Sequence, residues 1–207
     1  KVINLSLGGE YSRTIEYALK YAASKNVVII AASGNDGQFG LSYPASSQYV
    51  ISVGATNNFD IVSDYSNYGE KLDIVAPGTN IPSLVPNGNV TYMSGTSMAT
   101  PHVTAIAGLL LSGNSKLKVS DIRTLLHQSA DNVTFKEKDN EDASESLMDI
   151  IGSAMSEFDD FDLPVGKDLV SGYGRLNAYN AYSTVDLKVK INPIIEKKTT
   201  LSGSAVK

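Results

Sequence analysis

Residues 27–32 read Val-Val-Ile-Ile-Ala-Ala, with no polar position among them. A strand with one solvated face alternates apolar and polar side chains. A strand apolar on both faces belongs in a parallel sheet covered by helices on both sides. Val2–Leu7 reads as a second buried strand, ending at Gly8-Gly9, and Val50–Val53 and Leu72–Val75 as two shorter ones. Between them Ser12 precedes a helical pattern that puts Ile15, Ala18, Leu19 and Ala22 on one face. Ser97–Leu111, rich in Ala, Leu and Ile, reads as a buried helix. Val119–Ala130 reads as another, with Ile122, Leu125 and Leu126 inward and Ser120 as cap. The expected fold class is α/β, a doubly wound, mostly parallel sheet covered by helices.

Asn87-Gly88, between Ser83-Leu84-Val85 and Val90-Thr91-Tyr92, predicts a hairpin with a two-residue turn, since both turn positions want positive φ. Residues 131–168 differ in character: 12 acidic and 3 basic residues give −9, against −5 for the whole chain. Such a stretch reads as a solvated surface insertion. A calcium loop built on Asp139, Glu141, Asp142 and Glu145 is the sharper alternative, but the spacing fits no EF-hand and no site is assignable. Gly172–Ala178 returns to ordered-looking sequence with a short helix through Ala181. The expected organisation is one domain over 1–182 and an extension or linker over 183–207, with an extra strand or two at its start.

An apolar fraction of 42% over 207 residues can supply a core, so disorder is not expected. The net charge of −5 gives no reason to expect nucleic acid as a partner. The absence of Cys excludes disulfides and thiolate chemistry. No apolar run approaches the roughly 18 residues of a membrane span. With an apolar strand starting at residue 2 and no Met start or signal peptide before it, the sequence is expected to be a fragment, a processed product or a separately numbered piece.

The chemistry-bearing string is Ser94-Gly95-Thr96-Ser97-Met98-Ala99-Thr100-Pro101-His102. A glycine allows close approach of the backbone, and a hydroxyl in the first helical turn sits among unpaired N–H groups at the positive end of the helix dipole. That place suits a nucleophile whose attack creates an oxyanion. Taken alone, Gly-Thr-Ser equally well describes a helix cap. Asn35, in Gly34-Asn35-Asp36-Gly37, follows a strand's C-terminal end, where α/β sheets place ligand sites. Its amide offers two donors, though Asn and Gly also suit a plain turn.

Gly-Thr-Ser-Met-Ala-Thr-Pro-His over residues 95–102 resembles the nucleophile signature of the subtilisin-like serine peptidases, the subtilases. Ser6-Leu7-Gly8-Gly9, Ala31–Gly37, Tyr43-Pro44-Ala45 with Val50–Thr56, Tyr65–Gly69, Val75–Gly78 and Gly172–Ala181 resemble further landmarks of that family in the same order. The resemblance covers residues 1–182 apart from the acidic stretch. It implies a serine endopeptidase acting through an acyl-enzyme on Ser97, with Asn35 and the Ser97 N–H as oxyanion hole. It implies substrate binding by Ser6, Leu7 and Gly8 as an added strand, and an S1 pocket lined by Ala32, Ser33 and Gly34, with Ser42 or Tyr43 near its far wall. Asp36 at the rim would then favour a basic P1 residue, the alternative being a solvated turn carboxylate. No cofactor is implied.

A serine nucleophile needs an oriented base. His102 lies five residues past Ser97, about 140° around the helix, and so points away from it; the resemblance implies a packing role. His127 reads as an ordinary, partly exposed His. In the family the chain order is Asp, His, Ser, and the first two precede the strand that Val2–Leu7 resembles. The resemblance therefore implies that the N-terminal part of the fold is missing from this chain. An N-terminal fragment of the same catalytic domain is the expected partner, beside the peptide or protein substrate; an inactive isolated piece is the alternative. The family implies a secreted or cell-surface location, and a maturation peptidase such as a lantibiotic leader peptidase is one specialised form. The rival functions are a non-catalytic, subtilase-like peptide-binding domain and a nucleotide-binding α/β domain. Against the latter, Gly34–Gly40 does not follow G-x-G-x-x-G and no Walker sequence occurs.

Overall fold

The computed structural model describes residues 1–133 and 164–183. Four parallel strands form the central sheet in the order β1 (Val2–Leu5), β2 (Val28–Ala32), β3 (Ile51–Thr56), β4 (Ile74–Pro77). The register pairs Val2 with Val28, Ile30 with Ile51 and Val53 with Ile74. β2 is buried at every position, as its unbroken apolar run requires. Its residues divide by period two. Val28 and Ile30 join Val53, Ile74 and helix α2 (Thr96–Gly113) on one face. Ile29 and Ala31 join Leu19 of helix α1 (Arg13–Ser24) on the other. Helices thus cover both faces of a parallel sheet, as the apolar pattern predicts.

Several local readings need correction. The strand expected over Val2–Leu7 ends at Leu5 and is not buried; it lies at the edge of the described sheet, and Ile3 is 38% exposed. On α1 only Leu19 of the expected face is fully buried, while Ile15 and Ala18 are exposed. β4 starts at Ile74 rather than Leu72, because the Leu72 N–H returns to the Gly69 carbonyl in a turn. The hairpin of β5 (Ile81–Leu84) and β6 (Val90–Met93) forms, but its turn has three residues: the Val85 N–H reaches the Asn89 carbonyl around Pro86-Asn87-Gly88. Asn87 and Gly88 do take positive φ, 71° and 76°. Helix α3 (Val119–Ser129) is not capped by Ser120. The Lys118 N–H is held by the Asp121 carboxylate and the Val119 N–H by Asn26 Oδ1.

His127 is partly exposed, as expected, but its contacts are not those of an ordinary histidine. Its Nε2 lies 2.9 Å from Asp73 Oδ1, its ring stacks on Tyr173 at 3.8 Å, and its side chain is 14% exposed. Asp73 also receives Arg123 Nη1 at 3.1 Å and the Ser52 N–H at 2.9 Å. Burial pushes the Asp73 carboxyl up, but the His127 hydrogen bond, the Arg123 guanidinium and the Ser52 N–H outweigh it and hold the group below the usual carboxylate range. A carboxylate with a depressed folded-state pKa contributes stability that is complete above its unfolded value, about pH 4, and is lost as pH falls through the folded value. Asp73→Asn is therefore expected to destabilise the protein near neutral pH by about 3 kcal/mol. It should also flatten the acid limb of a denaturant-unfolding profile below about pH 4. An acid limb identical to that of the unmutated protein refutes this role.

Both ends of the acidic stretch are fastened to this body. Asp131 binds Arg175 Nη2 at 2.7 Å and Asn177 Nδ2 at 2.9 Å, and at the other end the Gly69 N–H donates to the Leu169 carbonyl at 2.7 Å. The short helix predicted after Gly172–Ala178 is α4 (Ala178–Ser183). The candidate calcium residues Asp139, Glu141, Asp142 and Glu145, and the extension after residue 183, lie outside the described residues.

Candidate active site

Ser97 is the second residue of α2, and the chain before it is tied down twice. The Gly95 N–H donates to the Gly78 carbonyl just past β4, at 2.8 Å. Gly95 itself has φ 153°, and a Cβ there would lie 3.6 Å from both ends of the Asn35 carboxamide. Glycine here serves the backbone angle, since 3.6 Å is ordinary van der Waals contact. Thr96, fully buried, donates its N–H to Asn35 Oδ1 at 2.8 Å and its hydroxyl to the same oxygen at 2.9 Å.

Two donors on one oxygen decide which end of the carboxamide is which. Oδ1 faces Thr96, so Nδ2 is the end left over, and it has no hydrogen-bond partner among the described residues. The first turn of α2 likewise leaves the Ser97 N–H without an intrahelical acceptor. Ser97 and Asn35 line one cleft of about 210 Å³. Leu7, Gly8, Ala32 and Gly34 line it with them, and Asp36, Ser42 and Thr96 complete it. A half-buried hydroxyl, an unpledged carboxamide N–H and a free backbone N–H beside an open cleft can bind a carbonyl and meet the negative charge that forms on its oxygen.

Of the substrate-binding residues expected from the sequence, Leu7, Gly8, Ala32 and Gly34 are in the cleft wall. Ser33 and Tyr43 are not, for the same reason in each case. Neighbouring residues of an extended chain face opposite ways. Ala32 and Gly34 reach the cleft and Ser33 between them is fully buried, its hydroxyl without a partner among the described residues. The backbone of Tyr43 pairs with Gly9, so Ser42 reaches the cleft and Tyr43 turns toward α1. The Tyr43 hydroxyl contacts Glu16 Oε2 at 3.2 Å, and its ring meets Tyr11 edge-on. Burial, followed by the Glu16 hydrogen bond, pushes the phenol up to about 12. Ser6 touches Ser97 directly: the Ser97 hydroxyl lies 3.4 Å from the Ser6 carbonyl, and the Ser6 hydroxyl donates to the Ser97 carbonyl at 2.7 Å.

Neither histidine stands at Ser97. His102 Nδ1 lies 3.0 Å from the Met98 carbonyl on its own helix, and His127 is committed to Asp73. The subtilase family model matches residues 1–148. The chain belongs to the subtilase family. Cell wall-associated protease of Bacillus subtilis (strain 168) is 56% identical over 207 residues, which is 99% of this chain and 22% of that protein. Thermitase of Thermoactinomyces vulgaris is 42% identical over 135 residues, 65% of this chain and 48% of its own length. Among solved structures, Prenylagaramide maturation protease PagA superposes with a TM-score of 0.67 at 31% identity, over 88% of this chain and 61% of that one. The chain thus spans less than two thirds of each of these three proteins.

Two residues of the subtilase site carry no role in the sequence reading. Thr96 anchors Asn35, and Asn67 braces the loop beneath it. Asn67 Oδ1 accepts the Asp36 N–H at 2.8 Å, and its Nδ2 donates to Asp36 Oδ2 at 3.2 Å. A Cβ on Gly34, whose φ is 116°, would strike the Asn67 amide and lie 2.5 Å from Ser42 Oγ. Asn67 was visible only as part of the landmark Tyr65–Gly69; nothing in its neighbours pointed 31 residues back to Asp36.

Proposed function

We propose that this chain supplies the nucleophile and the oxyanion hole of a serine endopeptidase. One observation carries the reading: the Ser97 hydroxyl shares a cleft with a carboxamide whose oxygen is already held by Thr96. Ser97 Oγ attacks the scissile carbonyl as its proton passes to a His base. The Ser97 N–H and Asn35 Nδ2 meet the oxyanion. The amine leaves with the proton from that base, and water then releases the acyl group. No step calls for a cofactor.

The base is supplied from outside this chain, because both of its histidines are engaged elsewhere. The orienting Asp comes with it, from the N-terminal fragment of the same catalytic domain. The substrate is a peptide or protein segment that lies along Ser6–Gly8 as an added strand, beside the edge strand β1. The name of the Bacillus subtilis relative supports a place outside the cell or on its surface, and among the described residues no helix is long and apolar enough to cross a membrane.

A serine-directed fluorophosphonate tests the reading. It should label Ser97 in the complete protein and leave this chain alone unlabelled. If the complete protein is not labelled either, the chain is a peptide-binding domain without catalysis.

Asp36 sets the P1 preference. Its carboxylate lines the cleft and is braced there by Asn67. Asp36→Asn, which keeps the shape and the amide contacts, should lower kcat/KM for Lys or Arg at P1 by about threefold to tenfold and leave an uncharged P1 unaffected. A P1 peptide library measures this, and equal losses for charged and uncharged P1 residues exclude the role. The likeness to PagA favours a narrower job, maturation of one peptide. That job predicts a single preferred cleavage sequence in a proteome-derived peptide library, and broad cleavage excludes it.

A further inference from the structure

Pro101 lies inside α2, four residues after Ser97. In an α-helix the carbonyl of residue i accepts the N–H of residue i+4, and proline has none. The carbonyl of Ser97 therefore lacks its helical donor. The donor that stands there instead comes from another element: the Ser6 hydroxyl, at 2.7 Å. Ser6 is in turn oriented from behind, since Asn4 Nδ2 donates to Ser6 Oγ at 2.9 Å. Asn4 Oδ1 accepts from Thr104 Oγ1 at 2.8 Å, and Thr104 shares that hydroxyl proton with the Thr100 carbonyl.

The chain of contacts closes on itself because two periodicities agree. Asn4 and Ser6, two apart, share one side of the extended chain. Ser97 and Thr104, seven apart, share one stripe of the helix. The contacts Ser97–Ser6–Asn4–Thr104 thus tie the first and third turns of α2 to the same short segment.

We propose that Ser6, held by Asn4 and Thr104, is a positioning residue for the nucleophile. It replaces the donor that Pro101 removes and so fixes the peptide plane on the C-terminal side of Ser97. Asn35 fixes the Gly95–Thr96 peptide plane, one residue earlier, through the Thr96 N–H. The nucleophile is thereby gripped on both sides by groups that do not belong to its helix. The inference rests on Ser97 being the nucleophile.

The test is a double-mutant cycle in the complete protein, read as kcat and KM on a peptide substrate. Ser6→Ala should lower kcat by about three- to tenfold, the loss of one hydrogen bond, and leave KM near its original value. Ser6→Thr keeps the hydroxyl and should restore most of kcat. Asn4→Ala and Thr104→Val, which remove only the support behind Ser6, should shift kcat in the same direction by less. Pro101→Ala returns an N–H to the Ser97 carbonyl, and in that background Ser6→Ala should lower kcat by less than about twofold. An equal loss from Ser6→Ala in both backgrounds overturns the proposal, as does a Ser6→Thr enzyme no better than Ser6→Ala. Failure of the peptidase reading itself looks different: the unmutated protein would then neither cleave peptide nor take up the fluorophosphonate.

Discussion

Ser97→Ala is expected to lower kcat of the complete protein by about a million-fold, the size of loss known for this nucleophile in subtilisin. The direction does follow from the site. Ser97 carries the hydroxyl that meets the cleft beside both candidate oxyanion donors, and Thr96, the neighbouring hydroxyl, is buried and spent on Asn35. Removal of the oxygen leaves the Ser97 N–H and the Asn35 amide in place. Substrate binding should survive and the loss should fall in kcat, with a residual rate over water from the oxyanion donors. Steady-state kinetics on a peptide substrate, with active-site titration, measures it. A Ser97→Ala enzyme that kept even a tenth of its activity would remove Ser97 from the chemistry.

Asn35→Ala should lower kcat by about a hundred- to a thousandfold, again the range known for this donor in subtilisin and not a quantity derived from this structure. The reason is a division of labour within one side chain. Oδ1 accepts from Thr96 and fixes the orientation, which leaves Nδ2 as donor for charge that exists only in the transition state. Alanine removes both halves, so a loss of activity alone could come from a loosened Thr96. Asn35→Asp separates them. It keeps an acceptor for the Thr96 N–H and hydroxyl but replaces the donor by a negative charge facing the oxyanion. Its kcat should fall at least as far as that of Asn35→Ala, while its thermal stability stays closer to that of the unmutated protein. If Asn35→Asp retained kcat, Asn35 would be a tether for α2 and nothing more.

The periodicities carried the fold. An apolar run without polar gaps over Val28–Ala32 can be buried only between two layers, and α1 and α2 supply them. The hairpin was legible in Asn87-Gly88 because positive φ is a local property. Errors arose where the deciding contact lies far along the chain. His127 reads as an ordinary, partly exposed His beside Leu126 and Gln128. It is partly exposed, but its pairing with Asp73, 54 residues away, and its stacking on Tyr173 are connected to it by no local pattern. The resemblance offers Ser42 or Tyr43 for the far wall of the pocket. The antiparallel pairing with Gly9 decides which of the two faces the cleft.

The residues of the site obey the same division. That Ser97 opens a helix after a glycine, and that Asn35 follows the end of a buried strand, are statements about short stretches of chain, and the sequence determined them alone. The orientation of the Asn35 carboxamide, the bracing of Asp36 by Asn67 and the capping of the Ser97 carbonyl by Ser6 were decided only by tertiary structure. Each is a hydrogen bond between residues 31 to 91 positions apart. Backbone preference and hydrophobic period act over a few residues and leave a trace in the local sequence. A directed bond between distant side chains leaves none until packing has brought its two ends within about 3 Å.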